Sequence, residues 1–234
     1  MKEEYTVESL EECIGYCFQD KDLLRQALTH SSYTNERKIN KIACYERLEF
    51  LGDAVLELVS SEIIFRNNPG LSEGELTKMR AAMVCEPSLA ICARDLKLGM
   101  YIRLGRGEIG AGGRERDSII SDVMEAVIGA VYLDGGMEQA KAFIQKYVMS
   151  DLEDKQLFYD SKSILQELMQ GKMKKEFCYE LLDESGPEHN KTFHVRVCME
   201  DEILGEGSGR TKKAAEQQAS YKALLFLRDR GICI

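Results

Sequence analysis

The sequence lacks a hydrophobic run long enough to cross a lipid bilayer. Its longest strongly apolar stretch covers residues 126–133, whereas a spanning helix needs roughly 20 residues. The first twelve residues are acidic and contain no apolar core of signal-peptide length. Low-complexity tracts are also absent, and a composition of 44% hydrophobic and 30% charged residues is typical of a globular protein. These features predict a soluble, cytoplasmic protein of one or two domains.

The sequence also lacks the spacing of a zinc site. No two of its eight cysteines form a Cys-x-x-Cys pair, and its three histidines are not spaced to complete a zinc-binding set. Most of the cysteines lie within apolar stretches, so we expect reduced thiols in the protein core. No convincing catalytic triad accompanies a serine or cysteine. The cysteines are Cys13, Cys17, Cys44, Cys85, Cys92, Cys178, Cys198 and Cys233.

Positive charge is scarce over the whole chain. The formal net charge is −9, which at first argues against a nucleic-acid partner. The excess of acid is confined to one part, since residues 1–159 carry a net charge of −8 and residues 160–234 carry −1. Phosphate binding needs local positive charge, not a positive total. The C-terminal part therefore stays a candidate for RNA binding, and some N-terminal carboxylates are candidates for cation binding.

Helical periodicity dominates the N-terminal part. Apolar stripes and turn signals predict a polar break at 31–40 and a glycine-rich interruption at 105–113. The residues between these features favour an all-helical domain over 1–150. The predicted helices cover 47–65, 73–84, 87–97, 118–133 and 137–149.

The pattern changes after a charged stretch, which we interpret as a linker at 151–159. Apolar residues then alternate with a period of two around 177–181 and 193–199, which predicts an antiparallel hairpin. A helix before the hairpin, a possible third strand at 203–206 and a helix at 211–229 give the order α-β-β-β-α. This order predicts a small α+β domain over 160–230.

Three carboxylates share one face of the first long helix. At 100° per residue, Glu46, Glu49 and Asp53 lie within about 60° of each other. Apolar residues occupy much of the remaining circumference, which is typical of a buried helix. A solvated face with Arg47 as an ion-pair partner is the alternative. Glu57 also lies near this face, so periodicity alone selects too many residues.

Asp122 and Glu125 are the only charged residues of the predicted helix 118–133, and they lie one turn apart on one face. Removing a carboxylate from water costs several kcal/mol unless something compensates its charge. A divalent cation could provide this compensation, because Mg²⁺ binds carboxylate oxygens and keeps water in its other positions. An ordinary solvated pair is the alternative.

Four motifs then carry a resemblance to a known family. Residues 46–53, Glu-Arg-Leu-Glu-Phe-Leu-Gly-Asp, resemble the signature motif of bacterial ribonuclease III, and residues 117–129 resemble its second acidic motif. Ala-Leu-Thr-His-Ser-Ser at 27–32 and Tyr-Leu-Asp-Gly-Gly at 132–136 are similar to the same family and occur in its order. One departure precedes the signature, where Tyr45 replaces the Asn of several members. Tyr45 is outside the acidic set, so this departure casts little doubt on activity.

The resemblance implies an Mg²⁺-dependent endoribonuclease that cuts double-stranded RNA as a homodimer, with Mn²⁺ able to replace Mg²⁺. It implies 5′-phosphate and 3′-hydroxyl products and the processing of rRNA precursors and other structured transcripts. Carried over by position, it makes Glu49, Asp122 and Glu125 the metal ligands. Asp53 and Glu125 are then the critical catalytic residues, and Glu46 has a supporting role. A non-catalytic RNA-binding protein and an enzyme for another phosphodiester are the alternatives.

Residues 160–230 resemble a double-stranded RNA-binding domain. The matching features are Gln166 and Glu167 on the first helix, Gly-Pro-Glu-His ending at His189 in the hairpin loop, and Lys212 and Lys213 at the start of the last helix. Polar side chains and a loop can reach the shallow minor groove of duplex RNA. Lysines at a helix N-terminus can bind phosphates. Each feature alone also fits an ordinary solvated helix, turn or helix start.

Basic residues of the N-terminal part are weaker candidates for phosphate contacts. Singly, each one fits a solvated surface charge better than an RNA contact. They are Lys78, Arg80, Arg103, Arg106, Arg114 and Arg116.

Overall fold

The computed structural model describes residues 5–38, 40, 43–150, 157, 161–185, 191–200, 202–209 and 211–232. The chain separates into two compact units, Met1–Ser150 and Asp151–Ile234. The predicted linker at 151–159 lies outside the described residues, apart from Leu157. No helix within the described ranges is both long enough and apolar enough to cross a membrane.

The first unit is helical throughout, as the sequence predicts. Its longest helices, α4 and α9, pack against each other, and α9 supplies the largest set of buried apolar residues. The helices are α1 (Val7–Ile14), α2 (Lys21–Ala27), α3 (Ser31–Arg37), α4 (Glu46–Asn67), α5 (Glu73–Val84), α6 (Glu86–Asp95), α7 (Leu98–Tyr101), α8 (Arg106–Gly110) and α9 (Asp117–Tyr147).

Two helices occur where the sequence predicts irregular structure. α3 lies within the predicted polar break, and α8 lies within the glycine-rich stretch. Thr34 is the only buried residue in these two helices. Neither helix therefore has the apolar stripe by which a helix is detected in a sequence. His30 is the N-cap of α3, because its ring accepts a hydrogen bond from the backbone N–H of Ser32 at 3.0 Å.

The predicted stop at 134–136 is confirmed. Gly136 has φ +78° and ψ −176°, which is not helical, and it separates two helical segments of α9, the second of which ends at Tyr147. The preceding Asp134 accepts hydrogen bonds from the Tyr16 hydroxyl at 2.7 Å and from the backbone N–H groups of Gln19 and Asp20 at 3.0 and 2.8 Å. The motif at 132–136 therefore anchors the segment that joins α1 to α2.

The apolar residues of α4, the helix that carries the signature motif, lie partly in the core and partly at the surface. Leu56 and Val59 of α4 are in the core, but Phe50, Leu58 and Phe65 are 80%, 60% and 69% exposed. A large apolar surface on one chain is commonly an interaction surface.

The second unit is a three-stranded antiparallel sheet with flanking helices. The sheet order is β1-β2-β3, and the core lies between the sheet and the helices, with Val195, Val197 and Leu204 facing Ala219 and Leu224. The elements are α10 (Ser161–Gln166) continued by a π-helix (Glu167–Met173), β1 (Cys178–Ser185), β2 (Thr192–Met199), β3 (Glu202–Gly209) and α11 (Lys212–Asp229). The α+β prediction is confirmed.

The glycines that precede the last helix belong to β3. A Cβ on Gly205 would lie 2.5 Å from the carbonyl oxygen of Ala219, and one on Gly209 would lie 2.7 Å from the backbone nitrogen of Ala215. β3 and α11 therefore touch backbone to backbone. This close approach requires glycine on the strand and small residues on the helix.

The expectation that the cysteines are core thiols holds only in part. All seven cysteines within the described residues are free, and Cys44, Cys92 and Cys198 are buried. Cys13, Cys17 and Cys178 are exposed, because Cys13 and Cys17 lie at the end of α1 and just beyond it, and Cys178 begins β1 on the outer side of the sheet.

Candidate active site

The two acidic helices cross at a pair of glycines. A Cβ on Gly52 of α4 would lie 2.6 Å from the carbonyl carbon of Glu125 on α9, and one on Gly129 would lie 3.1 Å from the backbone nitrogen of Gly52. Neither position has room for a side chain, because a Cβ on Gly129 would also meet the carbonyl oxygen of Leu48. The helices therefore meet backbone to backbone, and the carboxylates beside each glycine are brought to one place.

Four carboxylates gather around this crossing, namely Glu49 and Asp53 from α4 and Asp122 and Glu125 from α9. Burial, followed by the charges of Asp122, Glu46 and Asp53, raises the pKa of Glu49 to about 7. Burial, followed by the charges of Asp53, Asp122 and Glu49, raises the pKa of Glu125 to about 8. Burial also raises the pKa of Asp122. Glu49 on α4 and Glu125 on α9 are thus each affected by acidic residues of both helices.

The carboxylates of the cluster lack basic partners among the described residues. Within the described part of the chain, none of its four carboxylates forms an ion pair with a lysine or arginine. Glu57, which also lies near the acidic face, differs because it pairs with Arg80 at 2.8 Å. A carboxylate with a raised pKa and no basic partner can be stabilised by a bound cation.

The donor set suits a cation that keeps much of its water. No three His, Cys, Asp or Glu side chains among the residues that the structure covers converge into a ready-made metal-binding group. Mg²⁺ does not require such a cage, because it is usually held by one or two carboxylates and retains several water molecules. The cluster therefore fits a hydrated Mg²⁺ better than a fully coordinated ion.

Tyr45 is a site residue that sequence reasoning sets aside. It immediately precedes α4, and its hydroxyl donates a hydrogen bond to Oδ2 of Asp122 at 3.2 Å. Only 4% of Tyr45 is exposed. The departure from the family pattern was the available signal, but a single aromatic residue gives no indication of its partner on a helix far along the chain.

In the second unit, the polar residues predicted to contact RNA lie at the surface. Gln166 and Glu167 are exposed and line one shallow groove together with Ser163, Gln170 and Gly171. Lys212 and Lys213 are exposed in the first turn of α11, where Thr211 caps the helix by accepting from the N–H of Ala214. His189 lies outside the described residues. Basic side chains at a helix N-terminus are suitably placed for phosphate.

Comparison with known proteins connects both units to one family. The family model described as "Ribonuclease-III-like" matches residues 20–152, and "Double-stranded RNA binding motif" matches residues 161–227. A ribonuclease 3 from Caldanaerobacter subterraneus is 49% identical over 218 residues, which cover 92% of this chain and 95% of that protein. The chain belongs to the ribonuclease III family. A ribonuclease 3 from Listeria welshimeri is 46% identical over 95% of this chain and 98% of that protein.

Solved structures agree with this membership. The nuclease domain of ribonuclease III from Campylobacter jejuni is 44% identical, covers 62% of this chain and 98% of that domain, and superimposes with a TM-score of 0.58. As a member of the ribonuclease III family, the chain is a double-stranded RNA endonuclease with a helical nuclease domain and a double-stranded RNA-binding domain.

The basic residues of the ribonuclease III nuclease domain divide into two groups. Arg80, Arg114 and Arg116 are committed to the fold, because Arg80 pairs with Glu57, Arg116 pairs with Glu108 and Arg114 donates to backbone carbonyls. The others are exposed, and the Arg106 side chain forms a 3.6 Å ion pair with Glu36. The exposed group comprises Lys78, Arg103 and Arg106.

Proposed function

We propose that the chain hydrolyses phosphodiester bonds of duplex RNA at the carboxylate cluster with the help of Mg²⁺. The observation that carries this proposal is the meeting of four carboxylates at the crossing of α4 and α9, where burial and neighbouring charges raise the pKa of Glu49 and Glu125. Glu49, Asp122 and Glu125 would hold the cation, and Mn²⁺ would replace Mg²⁺ because it accepts the same oxygen ligands.

The chain's own groups would bind the cation and handle protons. When bound, a divalent cation makes its water a stronger nucleophile and offsets the charge that develops on the phosphate. Asp53 and Glu125 would orient the attacking water and accept its proton, and Glu46 would act from the rim of the cluster through its charge on Glu49. Attack by water leaves 5′-phosphate and 3′-hydroxyl ends, whereas attack by the RNA 2′-hydroxyl would not.

The exposed apolar face of α4 is proposed as the interface of a homodimer. Phe50, Leu58 and Phe65 lie along this face, and the solved Campylobacter jejuni nuclease domain has a region involved in dimer formation. A twofold interface presents the same patch from both subunits, so one apolar face serves both partners. Two copies would then supply two carboxylate clusters, one for each strand of a duplex.

The second unit would hold the RNA by its shape. Gln166, Glu167 and His189 would reach the minor groove, and Lys212 and Lys213 would contact phosphates. Such contacts do not read sequence, which suits the processing of rRNA precursors and other structured transcripts in the cytoplasm.

The test is a cleavage assay on the purified full-length protein. It should cut duplex RNA in Mg²⁺ or Mn²⁺, stop in chelator, leave duplex DNA intact and produce 5′-phosphate ends. Binding without cleavage under all cation conditions would support a non-catalytic RNA-binding protein instead. Equal cleavage of duplex DNA would point to an enzyme for another phosphodiester.

A further inference from the structure

The Tyr45 side chain forms a hydrogen bond with the carboxylate cluster. Its hydroxyl donates to Oδ2 of Asp122 at 3.2 Å, and only 4% of Tyr45 is exposed. This contact links the residue that precedes α4 to an acidic residue of α9.

The ring of Tyr45 is held in place by the motif at 27–32. The backbone N–H of Tyr45 donates to the carbonyl of Thr29 at 2.9 Å, and the His30 ring lies against the Tyr45 ring with centroids 5.6 Å apart. His30 is itself fixed, because its Nδ1 lies 2.7 Å from the Ser32 hydroxyl. Ser32 in turn accepts a hydrogen bond from the N–H of Gly105 at 2.9 Å.

The phenol acts on the orientation of one carboxylate. A hydrogen bond to Oδ2 restricts rotation of the Asp122 carboxylate and leaves Oδ1 for another partner. Groups that hold a metal ligand in this way commonly control the affinity of the site, since an unrestrained carboxylate must lose rotational freedom when the cation binds.

We propose that Tyr45 is a positioning residue that presents Asp122 to the cation, and that residues 27–32 are the scaffold of this phenol. This proposal rests on the proposed function, in which Asp122 is a cation ligand. It assigns a role to two features that the acidic residues leave unexplained: the motif upstream of the signature, and the tyrosine where several family members have asparagine.

The test compares Tyr45→Phe with Tyr16→Phe in the full-length protein. Both substitutions remove one tyrosine hydroxyl that donates to an aspartate, but the partner of Tyr16 is Asp134, which anchors the segment that joins α1 to α2. Mn²⁺ binding is measured by calorimetry without RNA, and cleavage is measured against Mg²⁺ concentration. Tyr45→Phe should weaken Mn²⁺ binding and raise the Mg²⁺ midpoint by about 10- to 100-fold, with KM for RNA unchanged and cleavage largely recovered at saturating Mg²⁺. Tyr16→Phe should change neither cation dependence.

A double-variant cycle separates positioning from a general loss of stability. If Tyr45 acts through Asp122, adding Tyr45→Phe to Asp122→Asn should weaken Mn²⁺ binding no further, and the two effects will not be additive. Unchanged Mn²⁺ binding in Tyr45→Phe, or equal losses in Tyr45→Phe and Tyr16→Phe, would overturn the proposal while wild-type cleavage in Mg²⁺ still supports the proposed function. Wild-type protein that neither binds Mn²⁺ nor cuts RNA would contradict both.

Discussion

Gly52 lies directly against the backbone of Glu125, so that a Cβ on this glycine would be 2.6 Å from the Glu125 carbonyl carbon. This close approach sets the distance between the two helices that bear the acidic residues. The same glycine stands between Glu49 and Asp53 in the signature motif, and the approach therefore links the fold to the proposed chemistry.

Gly52→Ala should force the helices apart. The added methyl group meets backbone atoms, which cannot rotate away, so we expect a loss of about 1–3 kcal/mol or more in the free energy of unfolding and a large fall in cleavage. Gly74→Ala is the matched control, since a Cβ at this helical glycine meets nothing within 4 Å. It should be neutral or slightly stabilising. Equal thermal midpoints for the two variants would show that the crossing tolerates a side chain.

The raised carboxyl pKa values predict how stability depends on pH without metal. Glu49 and Glu125 have folded-state pKa values of about 7 and about 8, above the ordinary value of 4.5. The protonated side chains of Glu49 and Glu125 therefore contribute fully to the stability of the folded state below about pH 4.5. This contribution is lost as the pH rises through 7 and 8. In chelator, the variant Glu49→Gln/Glu125→Gln should become progressively more stable than wild type between about pH 5 and pH 9.

Cation binding should have the opposite dependence on pH. The carboxylates must lose their protons to bind Mn²⁺, so binding should tighten as the pH rises over the same range. If the free energies of unfolding of wild type and Glu49→Gln/Glu125→Gln in chelator differed by the same amount at every pH, the raised pKa values of Glu49 and Glu125 would be contradicted.

Phe50→Ser should weaken dimerisation if α4 forms the interface. Phe50 is 80% exposed on one chain, and truncation of a central aromatic residue commonly costs about 2 kcal/mol or more, which is roughly 30-fold in Kd. Sedimentation measures the dissociation constant. Ile109→Ser is the control, because Ile109 is also apolar and exposed but lies on α8. This substitution should leave the dissociation constant of the dimer unchanged. A reversal of these two results would move the interface to α8.

Lys212→Ala/Lys213→Ala should weaken RNA binding equally for unrelated duplexes, because phosphates carry no base identity. The slope of log affinity against log salt should flatten by roughly 0.9, the value for B-DNA, for each phosphate that is no longer neutralised. Lys222→Ala removes an exposed lysine farther along the same helix and should have little effect. A changed sequence preference with an unchanged salt slope would mean that the lysines read bases.

Much of the site could be predicted because it rests on local patterns. Asp122 and Glu125 stand out in an apolar helix whatever their partners, and the periodicity of α4 places Glu49 and Asp53 on one face. Which apolar residues of α4 are exposed could not be predicted, because an apolar residue at an interface and one in the core look the same in a single sequence.

The remaining features depend on interactions between distant segments. Tyr45 meets Asp122 across 77 positions, and Gly205 and Gly209 are required by the path of α11. No periodicity in the sequence records such interactions. The helix α3 was missed for a different reason, because it buries little and is begun by the His30 ring.

Cleavage by Glu125→Gln, which keeps the shape of the side chain and removes its charge, tests the catalytic site most directly. Glu138→Gln, an exposed position on the same helix, is the matched control. Glu125→Gln should lose at least about 100-fold in cleavage rate and still bind duplex RNA as wild type does in Mg²⁺ or Ca²⁺, while Glu138→Gln cuts normally. Wild-type cleavage by Glu125→Gln in Mg²⁺ would contradict the assignment of this cluster as the catalytic site.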